Sequence, residues 1–438
     1  MYLIYSAALA LGLLLSLPYW LVQMFRHDKY RAGLRERLGQ VPTLLANTSA
    51  RDTIWIHAVS VGEVLAISSL VGQLRRRFPA YRIVVSTTTS TGQQLAGERF
   101  GSESVFFFPL DFAFAIRPYL DALCPRLVVL AETELWPNFL RLAKASGAKI
   151  AVANARISDR SLPGYRMARH LLAKTLTDVD VFLAQTTQDR ERLTEIGVPP
   201  DKIQVTGNLK FDVAPTQEPP IVASLRASFS RAAAGPVIVC GSTVDGEESL
   251  LLRTFEIVRG SNPRAVMVLA PRHPQRFRPV TDLVASLGIT CWQRSLWSGE
   301  DVGGSVLLLD TIGELASIYS LAHLAFVGGS LVEHGGHNIL EPAQFGVPII
   351  IGPHYENFRD IVNLFRANDA ISVVGPAELP LTFIELLSNE SVRAGLGMRA
   401  YQTWKGQTGA TGRTLTALQA LVSQGIDRRL AVHGSSAK

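Results

Sequence analysis

The sequence predicts an α/β protein built from two doubly wound parallel-sheet domains, preceded by a membrane-anchor helix. Three features predict this. Short aliphatic runs alternate with longer helix-like stretches from residue 53 onward, a proline-rich break interrupts the alternation near residue 215, and residues 1–25 are nearly all apolar. At 438 residues the chain exceeds what one small core accommodates, so two domains are expected. Its 47% hydrophobic and 18% charged content excludes a disordered chain.

The first element, MYLIYSAALALGLLLSLPYWLVQMF, is long enough to cross a bilayer, which takes about 20 apolar residues. A cleaved signal peptide fits less well, because no positive charge precedes the apolar run and no small-x-small exit follows it. Arg26, Lys29, Arg31, Arg35 and Arg37 come afterwards, in a basic juxtamembrane segment assigned to residues 26–50. Positive flanks prefer the cytoplasmic side, so the body of the protein is expected in the cytoplasm. Tyr19 and Trp20 suit the headgroup region, and Pro18 is placed to kink the helix.

The runs IWIHAVS, RIVVSTTTS, VFFFPL, LVVLAETE, KIAVANAR, VFLAQTT and IQVTG then read as strands of a first domain, residues 51–215. Continuous apolar runs suit parallel strands buried on both faces. FDVAPTQEPPIVA marks a linker, assigned to 216–232. The pattern restarts with PVIVCGST, AVMVLAPRH, VLLLD, LAFVGGS, PIIIGP and AISVV in a second domain, 233–426, and a polar tail closes the chain at 427–438. Cys124, Cys240 and Cys291 are scattered without a C-x-x-C pair, so they are expected to be small buried apolar residues and not a disulfide framework or zinc site. The net charge of +6 is modest and uneven, and no nucleic-acid partner is expected.

In doubly wound sheets ligands bind beyond the carboxyl ends of the strands. HAVSVGE, STTTSTG, AETELWPN, VTGNLK, CGSTVDGEE, APRHPQRF and VGGSLVEHGGHN all follow strands, which puts the polar clusters on one rim of each domain. Asp178 and Asp180 of TDVDVFLAQ have metal-diphosphate spacing but precede their strand, so they read as helix-end and turn residues. Glu63, at the head of a helix, is either a surface carboxylate compensating the helix dipole or a functional group on the rim. Gly328, Gly329, Gly335 and Gly336 form a loop after a strand, with a helix expected to start near Asn338 and offer its N–H groups to an anion. Asn338 suits the N-cap, and Glu341 in the first turn suits ribose hydroxyls. His334 and His337 lack a third ligand nearby, so no metal is expected there.

Taken in order, HAVSVGE, AETELWPN, TGNLKFD, APRHPQRF and GGSLVEHGGHNILEPAQFGVPIIIGPHYENF resemble the motifs of the 3-deoxy-D-manno-octulosonic acid (Kdo) transferase family, and the resemblance covers nearly the whole chain. It implies a GT-B glycosyltransferase fold, with two Rossmann-like domains and the active site in the cleft between them. It implies transfer of Kdo from CMP-Kdo to the glucosamine disaccharide of a lipid A precursor, with inversion and without metal or cofactor, at the cytoplasmic face of the inner membrane. Glu63 takes the role of the family's general base, and Glu132 and Lys210 those of transition-state stabilisers, with Glu134 two residues from Glu132 left open for the same role. The CMP contacts carry over to Pro271 and Arg272, to Ile312, Gly313 and Glu314, and to Asn338, Ile339, Leu340 and Glu341, with Ser242 and Thr243 as further phosphate or sugar contacts. The arginines from Arg26 to Arg37 are then placed to meet a phosphorylated lipid, whereas Arg75, Arg76 and Arg77 read as a solvated helical face. Two other classes fit less well. A nucleotide-sugar epimerase or hydrolase of this fold has no use for a lipid surface, and a non-catalytic membrane scaffold need not keep Glu63, Lys210 and Arg272 together.

Overall fold

Seven runs in the first half of the chain pair side by side, every pair parallel. They are β1 (Thr53–His57), β2 (Arg82–Thr87), β3 (Val105–Phe107), β4 (Pro125–Ala131), β5 (Lys149–Ala155), β6 (Val181–Ala184) and β7 (Ile203–Val205), in the order β3-β2-β1-β4-β5-β6-β7. The second half gives β8 (Val237–Thr243), β9 (Val266–Pro271), β10 (Cys291–Gln293), β11 (Val306–Leu308), β12 (Leu324–Val327), β13 (Ile349–Ile351) and β14 (Ser372–Val373), in the order β10-β11-β9-β8-β12-β13-β14. The computed structural model describes residues 2–27, 32–46, 52–212 and 219–435.

Burial on both faces explains why the strands read as unbroken apolar runs. All five residues of β1 are buried. Ile54 and Ile56 join one core cluster with Ile67, Leu70 and Val129, while Trp55 joins the other with Phe106, Phe139 and Phe182. The second sheet divides likewise, with Ile238 and Cys240 on one face and Val237 and Val239 on the other. β10 was not expected. It is a half-buried edge strand of three residues and carries no apolar run to announce it.

The chain falls into two units, Met1–Ala214 with Thr408–Lys438, and Pro215–Gln407. Two boundaries differ from expectation. Within the expected linker lies a helix, Pro220–Arg231, whose Val222, Leu225 and Phe229 are buried in the core of the second unit. The last helix, Ala410–Ser435, belongs to the first unit and extends through most of the expected polar tail. Its Ala410, Leu418 and Val422 are buried with Ile54 and Leu70, and Asp212 accepts the backbone N–H groups of Gly409 (2.7 Å) and Thr411 (2.5 Å) at its start.

The N-terminal helix runs Tyr2–His27 with Pro18 inside it. Its Tyr2–Trp20 portion has a mean hydropathy of 1.6 and is long and apolar enough to cross a membrane. Leu3, Ile4, Leu11, Leu14 and Leu15 are exposed on it. The Tyr2 hydroxyl donates to Asp178 (3.0 Å), and the Asn138 amide donates to Ser6 (2.9 Å). Of the basic juxtamembrane residues, Lys29 and Arg31 lie outside the described residues. Arg35 is exposed, but Arg37 is not free for lipid: its guanidinium lies over the Phe107 ring and donates to Thr88 O (2.5 Å). Asp180 accepts from Lys144 (2.8 Å), Lys149 (3.3 Å) and the Ile150 N–H (2.9 Å) at the amino end of β6, a structural tie. Among the cysteines Cys240 is buried, whereas Cys291 is partly exposed and Cys124 is exposed, because Cys124 ends a helix in a left-handed turn at φ 44°.

Leu418 tests the placement of the last helix. Leu418→Ala leaves a cavity in the first unit and is expected to cost about 2–5 kcal/mol of its stability. Differential scanning calorimetry checks this: the transition of the first unit falls while that of the second stays put, and an unmoved first transition contradicts the assignment.

Candidate active site

In the first sheet the order of strands reverses between β1 and β4, so the loops leaving their carboxyl ends flank the crevice where doubly wound sheets bind ligands. β1 ends at His57, and a helix, Val61–Arg77, starts after Ser60. Glu63, the third residue of that helix, is only 9% exposed. Its carboxylate turns back on the helix start and accepts from Val59 N–H (2.7 Å) and from the Ser60 hydroxyl (3.0 Å). This resembles a capping box, in which an acid of the first turn satisfies amides the helix leaves open. Burial pushes the Glu63 carboxyl up to about 7, opposed by the Val59 N–H and the Ser60 hydroxyl and reinforced by the charges of Glu132 and Glu134. The helix N-terminus does not keep it a strong acid, as its position alone suggested, because desolvation outweighs the dipole.

Glu132 follows β4 directly and has a left-handed backbone, φ 58°. Its N–H donates to Ala153 O (2.8 Å), and its carboxylate pairs with Lys210 Nζ at 3.3 Å. Lys210 sits in a short turn, Leu209–Asp212, beyond β7. Glu63, Glu132 and Lys210, expected from separate motifs, thus share one rim. The ion-pair partner of Lys210 is Glu132 and not Glu134, whose carboxyl is raised by burial and by the Glu132 charge. Two rim residues had no sequence signal beyond following a strand. Asn154, the penultimate residue of β5, has φ 57° and accepts Leu209 N–H (2.9 Å) on its Oδ1, and Gln185 after β6 donates to Asn154 O (3.0 Å).

In the second unit Pro271, Arg272, Ile312 and Gly313 line a concavity of about 160 Å³ together with Ser242, Phe277 and Leu315. The ends of β8, β9 and β11 make its walls, and Arg272 N–H bonds Thr243 O (2.8 Å), tying two of them. Gly313 has φ 90° and open space where a Cβ would stand. Glu314 sits at the start of the next short helix, its carboxylate engaged by Arg294 (2.8 Å) and by Thr311 Oγ1 (2.5 Å). Thr243 is not available as a contact, since its side chain is buried against Glu248 (3.3 Å).

Asn338, Ile339, Leu340 and Glu341 do not line this concavity. The helix begins at Leu340, two residues later than expected and only four residues long, with Asn338 Oδ1 accepting Leu340 N–H (3.1 Å). Ile339 and Leu340 are buried. Asn338 Nδ2 donates to Glu341 (3.3 Å), whose carboxyl is raised by burial and opposed by that bond and by the Arg272 charge. Three amides of the glycine-rich loop already have a partner. Glu247, fully buried, accepts N–H bonds from Val244 (3.0 Å), Gly329 (2.7 Å), Ser330 (2.8 Å) and Leu331 (2.8 Å). The two adjacent acids of CGSTVDGEE were the only trace of this latch in the sequence. His337 is held down to about 4 by burial, with the charges of Arg272, His334 and His273 adding to the effect. Among the described residues no group of three His, Cys, Asp or Glu is arranged to hold a metal ion.

Residues 32–213 match the family model of the 3-deoxy-D-manno-octulosonic-acid transferase (kdotransferase). A 3-deoxy-D-manno-octulosonic acid transferase of Haemophilus influenzae is 33% identical over 92% of this chain and 94% of its own length. The chain belongs to this family. A second Kdo transferase, from Bordetella pertussis, is 35% identical over 84% of this chain and 86% of its own. The UDP-GlcNAc 2-epimerase of Neisseria meningitidis superposes with a TM-score of 0.54 at 13% identity, over 85% of this chain and 100% of its own, which shows a shared fold. The protein is a glycosyltransferase of the GT-B fold, each of its units a seven-stranded parallel sheet.

In this Kdo transferase relative the raised Glu63 carboxyl makes stability depend on pH. The folded state holds the proton up to about pH 7, while an ordinary glutamate loses it near 4.5. The contribution is therefore full below about 4.5 and is lost as pH rises through 7, about 3 kcal/mol in all. Urea unfolding of wild type and Glu63→Gln across this window checks it: wild type is expected to lose stability relative to the variant as pH rises. Parallel pH curves would show that Glu63 titrates normally.

Proposed function

We propose that the protein transfers Kdo from CMP-Kdo to the glucosamine disaccharide of a lipid A precursor such as lipid IVA, with inversion, in lipopolysaccharide assembly. The observation that carries the reading is the buried Glu63, pushed up to about 7 beside the Glu132–Lys210 pair at the crevice of the first sheet. A general base works best when its pKa lies near the operating pH, because it must be ionised yet still bind a proton in the transition state. An acceptor sugar hydroxyl gives its proton to the Glu63 carboxylate as its oxygen bonds to the anomeric carbon. The bond from that carbon to the phosphate oxygen breaks, and CMP leaves with the electron pair. Glu132 offsets positive charge at the anomeric carbon, and Lys210 offsets negative charge growing on the leaving phosphate.

Arg272 meets the phosphate of CMP with paired guanidinium donors. Pro271, Ile312 and Gly313 give the concavity its shape, and the backbone at 312–314 meets the cytosine edge. The resemblance also gives nucleotide contacts to Asn338, Ile339, Leu340 and Glu341, which lie outside the concavity, with Glu341 assigned to ribose hydroxyls. CMP carries a single phosphate, so turnover proceeds without a bound metal. The N-terminal helix holds the enzyme at the cytoplasmic face of the inner membrane, where its acceptor resides.

Incubation with CMP-Kdo and a tetraacylated disaccharide, followed by mass spectrometry of the lipid, tests the reaction. Glu63→Gln is expected to bind CMP-Kdo as wild type does and to lose transfer by about 10²–10⁴-fold. In wild type kcat/KM is expected to rise as pH increases through about 7; normal turnover by the variant removes Glu63 as the base. Deleting residues 1–25 is expected to release the protein from membranes while sparing most turnover on detergent-dispersed acceptor. Retention in the membrane pellet after the deletion would refute the anchor.

A further inference from the structure

We propose that Asn154 is a positioning residue for Lys210, its carboxamide oxygen holding the turn that presents the Lys210 ammonium to Glu132. β4 and β5 are neighbours in register, Ala131 opposite Ala153, so Glu132 and Asn154 are the next residues of adjacent strands. Both have a left-handed backbone, Glu132 at φ 58° just past the end of β4 and Asn154 at φ 57° where the pairing of β5 with β6 shifts register. That conformation disfavours most side chains, and asparagine is among the few that tolerate it. Asn154 is 1% exposed. Its Oδ1 accepts Leu209 N–H at 2.9 Å, which only the oxygen of a carboxamide can do, so the orientation of the group is fixed.

The turn carrying Lys210 is pinned at two ends. Asp212 fixes the far end through Gly409 and Thr411. Asn154 fixes the near end at Leu209, one residue before the lysine, while the buried Leu209 side chain anchors in the core with Val64 and Ala131. Gln185 in turn holds Asn154 by donating to its carbonyl (3.0 Å). Three consecutive strand ends, those of β5, β6 and β7, are thereby joined behind the 3.3 Å pair of Lys210 with Glu132. A flexible lysine side chain can reach many places, and holding its backbone by a buried hydrogen bond restricts which one it occupies.

This inference rests on the role given above to Lys210, and a double-mutant cycle on the full-length protein tests both separately. Asn154→Gly keeps the left-handed backbone and removes the acceptor. It is expected to lower kcat about ten- to a hundredfold while shifting KM for CMP-Kdo less than about threefold. In a Lys210→Ala background the same change is expected to have no further effect on kcat, because the group it positions is gone. Losses that multiply, or an Asn154→Gly enzyme with wild-type kcat, overturn the inference and leave the role of Lys210 standing. Full turnover by Lys210→Ala alone overturns that role, and this inference with it. Should Asn154→Gly fail to fold by circular dichroism, Asn154→Asp supplies the test: it retains an acceptor for Leu209 and is expected to keep kcat well above that of Lys210→Ala. An equal loss in the two contradicts the proposal.

Discussion

Both units depend on the same constraint: where the strand order of a parallel sheet reverses, the crossovers depart on opposite faces and leave the gap between two strand ends uncovered. Something polar must occupy that gap, because the amides at the strand ends need partners. In each unit a glutamate at the start of the helix that follows the first strand fills the need. After β8 it is Glu247, whose carboxylate draws in the loop after β12 through three N–H bonds and caps Val244 with a fourth. After β1 it is Glu63, which accepts from only one N–H and one hydroxyl, both within its own loop. One glutamate is consumed by structure. The other is underused, and its proton affinity rises.

The magnitudes decide what kind of acid Glu63 becomes. A helix N-terminus stabilises a carboxylate by about 0.3–1 kcal/mol at the surface and up to about 2 in favourable sites. A rise from 4.5 to about 7 runs the opposite way, and corresponds to about 3 kcal/mol. Burial therefore overcomes the dipole and both hydrogen bonds together. Glu132 and Glu134 add like charge from the facing strand end, and Lys210 compensates the former. Desolvation favours the neutral form on Glu63, while the neighbouring Glu132 carboxylate is engaged by Lys210 at 3.3 Å.

Much of the fold was legible because burial on both faces forces continuous apolar runs, and the strands of the first sheet announced themselves in that way except at the edge, where β7 buries only Ile203. β10 did not, for a half-buried edge strand needs no apolar run. The helix Ala410–Ser435 was assigned to the wrong unit because its place is decided by Asp212 and by contacts with Ile54 and Leu70, some two hundred residues or more earlier in the chain. At the site the motif residues Glu63, Glu132, Lys210 and Arg272 stood out by residue type and by following strands. Lys210 pairs with Glu132 and not with Glu134, and the spacing of the two acids does not encode that choice. Thr243 looked as available as Ser242. Only the sheet shows that one faces Glu248 in the interior and the other the concavity.

The left-handed backbone at Glu132 explains why that position differs from its neighbour Glu134. A non-glycine residue in this region costs about 1–2 kcal/mol, and such strain persists only where the surroundings enforce it. Here the enforcement is visible. The Glu132 N–H is drawn to Ala153 O across the sheet at 2.8 Å, and the side chain is drawn to Lys210. Had the strand simply continued, the residue after Ala131 would alternate to the opposite face and keep pairing along β5. Turning left-handed ends the ladder abruptly and directs the carboxylate along the rim. On β5 the left-handed residue, Asn154, lies one position before the strand's end, where the pairing with β6 shifts register, so the ladder is interrupted beside the end of β4. A rim that carries chemistry needs its groups fixed more tightly than loops ordinarily allow. A strained residue just past β4 and another inside β5, each tied by a hydrogen bond to a neighbouring segment, supply that rigidity here.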